Sequence, residues 1–351
     1  HIPDYLTWFF FPEQPRAFYI EHWLVFFLTL VLTFFSSLRL SQSVPISLLS
    51  TTVFFFAKPT FEVLYTLDKG EIFVACMFSF MVWLNVISSQ NRNSRTLFAR
   101  AFLALLVSSY AMFTKQTAQL LVLYAALSLG CAKLSHRVSR STSKQSELLW
   151  FYAFFFISIT SWVGFHFFYR MNGGFSIHRY NEMDYGLGSI QRLIHYSLGM
   201  PELSIALMIT FVLLLVLLRD ASKSDSSDFH QCVALSITVG AGAVALSGWP
   251  SEICYVFYPL LAFLLPALAY GMANAPPHAR RWVVGVIALS LVIQIPFRVE
   301  DAQEQHEMDR LFFELKSKLE SMKSGAQREA TVVLPFTDKN ACDWEVGSRV
   351  C

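Results

Sequence analysis

The sequence predicts an all-α polytopic membrane protein of about ten membrane segments, and three observations carry that expectation. Hydrophobic residues make up 54% of the 351, with 34 Phe, and mean hydropathy is +0.46. A soluble domain has no surface to accommodate such a composition. Apolar runs recur down the chain at roughly the 20-residue length that crosses a bilayer core. Lys and Arg crowd alternate loops between those runs, the charge asymmetry of a multi-pass chain. A net charge of +2 gives no sign of a nucleic-acid partner.

Residues 1–21 are amphipathic and aromatic, with Tyr5, Trp8, Phe9, Phe10 and Phe11. They suit the headgroup layer, where rings anchor and charges stay wet, and read as the end of an outer loop with Asp4 as its acid. The chain starts at His1 without the basic and apolar regions of a signal peptide. Apolar spans follow at residues 23–38, 44–64 and 72–87. The second contains Lys58, Pro59 and Glu62; the proline kinks it, and the two charges stand four apart on one face, where they can pair.

Residues 100–133 are too long for one crossing and are interrupted at Lys115, so they read as two short helices, 101–112 and 118–132, folded back at a polar tip. An ammonium at that depth must meet water, a carboxylate or an anionic ligand. A basic loop through Lys144 leads to a span at 148–168. A polar excursion over residues 170–200 carries His178, Arg179, Tyr180, Glu182, Asp184, Arg192 and His195, with a short interfacial helix expected over 190–200. The remaining spans are 203–218, 232–246, 253–272 and 282–295. Residues 22–297 therefore form the transmembrane domain. Residues 298–351 form a small α/β tail, with an amphipathic helix over 300–323 and a strand over 331–336.

Counting basic residues loop by loop fixes a topology. Arg39, Arg92, Arg95, Arg100, Lys133, Arg137, Arg140, Lys144, Arg219, Lys223, Arg280 and Arg281 fall in one set of loops, which the positive-inside rule assigns to the cytoplasm. Both ends of the chain are then outside, and an outward N-terminus is explained by one further helix before His1. Cys76, Cys131, Cys232 and Cys254 fall in or beside apolar spans as small hydrophobes. Cys342 and Cys351 fall in the outer tail, where they either close a disulfide loop or remain free thiols.

The outer face collects Asp4, Asp68, Glu71, Glu182, Asp184 and Glu252 with Lys115, His178, Arg179, Tyr180 and Arg192, and with the rings of Trp249, Tyr255 and Tyr258. Acids mixed with bases and aromatics at one membrane face suit a polar headgroup on a lipid carrier. A carboxylate serves as general base for a hydroxyl, and cations hold a phosphate leaving group. Any one of these residues taken singly is better explained by the wetness of outer loops.

Four stretches make the layout resemble the GT-C superfamily of polyprenyl-phosphate-dependent membrane glycosyltransferases, the group of the protein mannosyltransferases and the aminoarabinose transferase of lipid A. They are Ala57-Lys58-Pro59-Thr60, the turn through Asp68, Lys69, Gly70 and Glu71, the Thr114-Lys115 tip, and the span opening at Tyr255 and Tyr258, with a polar tail completing the order. The resemblance implies inverting transfer of a sugar from a polyprenyl-phosphate carrier to an extracytoplasmic acceptor, in the plasma (inner) membrane. Asp4, Asp68 or Glu71 would be catalytic, and Lys115, His178, Arg179, Tyr180, Arg192, Trp249, Tyr255 and Tyr258 would bind substrate.

Some relatives use a divalent cation, but the sequence shows no metal-ligand set. The chain departs from the family where a late span usually carries an Arg before its Tyr; Ile253 and Cys254 stand there. A lipid or solute transporter, and a non-catalytic subunit beside a protein partner, are the competing readings. The first predicts broken helices with ionisable groups at mid-depth.

Overall fold

In the computed structural model the described residues are 9–10, 15–65, 70–88, 94–114, 116–138, 164, 186–219, 226–247 and 254–325. Their regular structure is helical, with no strand among them. Contacts divide the chain into two units, His1–Val299 and Glu300–Cys351.

The helices are α1 (Pro15–Ser41), α2 (Val44–Phe56), α3 (Lys58–Tyr65), α4 (Glu71–Ser88), α5 (Ser94–Thr114) and α6 (Leu120–Val138), with a 3-10 turn at Gln116–Gln119 between the last two. There follow α7 (Leu187–Gly199), α8 (Pro201–Leu218), α9 (Ser227–Ser247), a 3-10 segment at Cys254–Leu260, α10 (Leu261–Asn274) and α11 (Pro277–Gly325). Five stretches are long and apolar enough to cross a membrane: Ala17–Ser41, Pro201–Leu218, Asp228–Ser247, Tyr255–Asn274 and Pro277–Glu300. The bent pair Val44–Phe56 and Lys58–Leu64 makes a sixth.

Shorter apolar helices at Glu71–Ile87, Phe102–Ala111 and Thr117–Ser128 occupy the other expected positions up to residue 132. The span expected at 148–168 falls outside the described residues, Gly164 excepted. So do the strand expected at 331–336 and both tail cysteines, Cys342 and Cys351. The helix expected over 300–323 forms, as part of α11.

Helix α10 sits at the centre. Every residue from Leu261 to Met272 is buried, as a helix apolar on all sides must be. It packs against α1, α2, α4, α8 and α9. Phe263 stacks between Phe78 of α4 and Tyr124 of α6, with ring centroids 4.7 and 5.2 Å away.

On the buried faces of α1 and α4 several hydroxyls are satisfied locally. Thr29 and Ser36 donate to the carbonyls one turn back at 2.8 Å, and Thr33 meets Ser79 across the helix pair at 3.0 Å. Small side chains of this kind let helices approach where no aqueous hydrophobic effect drives them together.

Glycine sets two other approaches. A Cβ on Gly242 of α9 would stand 2.6 Å from Leu260 Cδ2 and 3.1 Å from Leu120 Cδ1, and one on Gly271 would stand 3.2 Å from Leu213.

The second span breaks where the sequence places its proline. Pro59 has no N–H, and its ring would collide with the carbonyl of Phe55 in a continuous helix. The chain leaves helical geometry at Ala57 (φ −65°, ψ 137°), and α3 resumes bent by 56° from α2. The freed carbonyl of Phe54 accepts from the Thr60 hydroxyl at 2.7 Å, and Ala57 accepts from the Thr60 amide at 2.9 Å. Among the described residues no ion pair joins Lys58 to Glu62; the backbone N–H of Lys58 has a distant acceptor, described below.

The ends of the first unit follow from contacts. At one end Arg39 lies 3.9 Å from Asp228, Ser226 meets the Tyr270 hydroxyl at 3.1 Å, and Arg280 donates to the carbonyls of Ala273 and Ala275 at 2.6 and 3.3 Å. Arg280 caps the C-terminus of α10 and Arg39 lies in the last turn of α1, where the helix dipole favours cations. At the other end lie the start of α4, the α3 bend, the start of α8, the 3-10 segment at Cys254–Leu260 and the end of α9.

Candidate functional site

That second end gathers the site-forming residues that the structure describes. The 3-10 segment at Cys254–Leu260 packs on both α3 and α4, so Tyr255 and Tyr258 neighbour the helix that Glu71 opens. Tyr255 is half-buried and Tyr258 fully buried, its ring meeting Phe54 edge-on at 5.3 Å. Glu71 occupies the first turn of α4, where an acid favours the helix dipole. It is fully buried, although the sequence reading set it in an outer turn.

Arg192 belongs to α7, whose buried face packs on α9 and on the 3-10 segment. Arg192 Nε donates to the Ser247 carbonyl at 2.9 Å, the Ser189 and Ser247 hydroxyls meet at 3.0 Å, and Tyr196 stacks on Phe257 at 4.9 Å. The cation thus closes the C-terminus of α9. Helix α7 is longer than the expected interfacial helix at 190–200, and its outward side still fits that expectation: Ile190, Ile194 and Leu198 are exposed in a stripe at helical spacing.

Asp4, Asp68, Lys115, His178, Arg179, Tyr180 and Trp249 lie outside the described residues, as do Glu182, Asp184 and Glu252. The described chain stops at Thr114 and resumes at Gln116 on either side of the expected tip. Among the described residues no group of three His, Cys, Asp or Glu side chains is placed to hold a metal ion.

Sequence reasoning missed two further buried charges at this end. Glu202, in the first turn of α8, accepts the backbone N–H of Lys58 at 2.8 Å through Oε1. That amide is the first donor of α3, orphaned by the break at Ala57, and a carboxylate there is held by both hydrogen bond and helix dipole. Arg298 of α11 stands 3.5 Å from the same oxygen, and its guanidinium also donates to Gln294 Oε1 at 2.8 Å. The side chains of Arg298 and Glu202 are 4% and 1% exposed. A charge at this burial persists only with its opposite.

One signal was available: Glu202 opens an apolar run directly after Pro201, and Gln294 and Arg298 stand four apart at the end of another. Their meeting is invisible in sequence, since 96 residues separate the pair.

No family model, curated protein or solved structure matches the chain. The helices give its class, a multi-pass integral membrane protein whose regular structure is helical throughout the described residues.

Proposed function

We propose that the protein is a membrane glycosyltransferase of the GT-C type, with ten segments, moving a sugar from a polyprenyl-phosphate carrier to an acceptor on the extracytoplasmic side of the plasma (inner) membrane. One observation supports this reading above the others: Glu71, Arg192, Tyr255 and Tyr258, assigned to one face by counting basic loops, meet at one end of the helical bundle, opposite Arg39 and Arg280. In this reading Asp68 or Asp4 takes the proton of the acceptor hydroxyl. Lys115, with His178, Arg179, Tyr180 and Trp249, holds the carrier phosphate and sugar. Glu71, fully buried, shapes the start of α4 rather than meeting substrate.

The full chain in lipid nanodiscs, given polyprenyl-phosphate sugars, tests it. Transfer by the wild type should fall by about 100-fold or more in whichever of Asp4→Asn and Asp68→Asn removes the base, and Lys115→Ala should weaken donor binding. Equal transfer in all three variants rejects this site. The second reading, a lipid or solute transporter, is favoured by the 56° break in a span beside the buried Glu202–Arg298 pair. No transfer with any donor, together with lipid or solute movement in proteoliposomes, would favour it.

A further inference from the structure

Helix α7, at 13 residues, is too short to cross a bilayer, and its contacts tie it to the ends of three different spans. Near its start the Ser189 hydroxyl meets that of Ser247, the last residue of α9, at 3.0 Å, and Arg192 donates to the carbonyl of the same residue. Further along, Tyr196 stacks on Phe257, near the start of the span Tyr255–Asn274. At its end only Met200 separates it from α8, and Ser204 of α8 reaches back to the Ser197 carbonyl at 3.2 Å. A helix pinned along its length to the termini of neighbouring spans lies across them. Helix α7 therefore runs in the plane of the bundle end, over about 16 Å from Ser189 to Met200.

At about 100° per residue the helix divides into three faces. Ser189, Tyr196 and Met200 are buried against the bundle. Ile190, Ile194 and Leu198 are 57%, 57% and 75% exposed and form a stripe about 80° wide. Gln191 and His195, also exposed, follow on the side of that stripe away from the bundle. A protein face, an apolar face and a polar face in succession suit a helix at the corner where protein, lipid and water meet.

We propose that α7 is an in-plane membrane anchor, with Ile190, Ile194 and Leu198 in the boundary between headgroups and acyl chains of the adjoining phospholipid leaflet and Gln191 and His195 among the headgroups. Two observations select lipid as the occupant. The chain passes through Met200 directly into α8, a span of mean hydropathy 2.4, so Leu198 has no linker that could carry it away from the bilayer surface. The stripe is wholly aliphatic, which matches acyl chains better than the aromatic and Arg anchors of a protein interface. Because Tyr196 packs on Phe257, the anchor also holds the 3-10 segment with Tyr255 and Tyr258 at headgroup depth. This inference stands apart from the reaction proposed above, and its test measures no transfer.

The full chain, with native cysteines replaced by Ser, carries a nitroxide singly through Ile190→Cys, Gln191→Cys, Ile194→Cys, His195→Cys or Leu198→Cys in phosphatidylcholine nanodiscs. All five positions are exposed, so the label needs no repacking. Oxygen, which concentrates among acyl chains, should relax the labels at Ile190, Ile194 and Leu198 more than a water-soluble nickel chelate does, and the order should reverse at Gln191 and His195. Nickel access at Ile194 equal to that at His195 puts the stripe in water and overturns the proposal. A label at Ile194 shielded from both reagents shows a second copy of the chain on that face, which overturns it as well.

A readout on the unmodified protein is independent of any variant's folding. In nanodiscs containing a lipid with a photoactivatable diazirine high on one acyl chain, adducts should fall on α7 as well as on Met208 and Phe211, the exposed side chains of α8. Adducts on α8 with none on α7 overturn the proposal.

Discussion

At the scale of single residues, the Glu202–Arg298 pair is the interaction whose loss is most informative. Replacing Glu202 by Leu leaves a guanidinium that is 4% exposed, and the first amide of α3, without their anion. Loss of one partner of a buried pair costs about 3–5 kcal/mol, whereas exchanging both for apolar groups of similar size is often neutral. Thermal unfolding should therefore show Glu202→Leu and Arg298→Met strongly destabilised, and the double variant recovering most of the loss. If the double variant is as unstable as the worse single, the pair contributes through more than charge compensation. The sequence pointed elsewhere for a physical reason. Periodicity sees neighbours four residues apart, so it offered Lys58 and Glu62; the amide of Lys58 found Glu202, 144 residues on. Glu71 shows the same limit: polarity put it in an outer turn, and packing of α4 against the 3-10 segment buried it.

At the scale of elements, apolar run lengths identified nearly every described helix, because a run long enough for the bilayer must satisfy its backbone internally. They misjudged where helices stop. Helix α5 starts at Ser94, several residues before the apolar run at 101–112, since hydrophobicity marks membrane depth while hydrogen bonding carries the helix onward into polar sequence. The break at Ala57 was legible through Pro59. The close approach of α9 to α6 and the 3-10 segment was not, because a glycine in an apolar run does not announce what it faces. Gly242→Ala puts a Cβ against Leu260 and Leu120, both flexible side-chain ends, so the neighbours shift at a cost of about 1–3 kcal/mol. Gly285 of α11 has nothing within 4 Å of the same position, and Gly285→Ala should gain about 0.5–1 kcal/mol from helix propensity alone. Melting temperatures that move in the same direction for both would show that the Gly242 contact is not tight.

At the scale of the whole molecule, two independent lines order the ends of the first unit. The count of Lys and Arg per loop puts Arg39, Arg219 and Arg280 on one side, and the contacts of Arg39 with Asp228, Ser226 with Tyr270 and Arg280 with Ala273 bring the end of α1, the start of α9 and the end of α10 together. The other end holds Arg192 and Arg298, but Arg192 caps α9 and Arg298 is neutralised by Glu202, so neither acts as a free cation for the leaflet. At the first end Arg39 and Arg280 are engaged in the same way, by Asp228 and by the carbonyls of Ala273 and Ala275, so the sidedness rests on the count of basic residues per loop rather than on free cations. In the orientation we propose, Gln42 and Pro276 are cytoplasmic and Gly186 extracytoplasmic, all three exposed at helix ends. Single cysteines at these positions, in a variant whose native cysteines are replaced by Ser, should divide in intact cells. Gly186→Cys should react with a membrane-impermeant maleimide, and Gln42→Cys and Pro276→Cys only after permeabilisation. Labelling of Gln42→Cys from outside would invert the molecule, and with it the side on which any lipid-linked sugar is used.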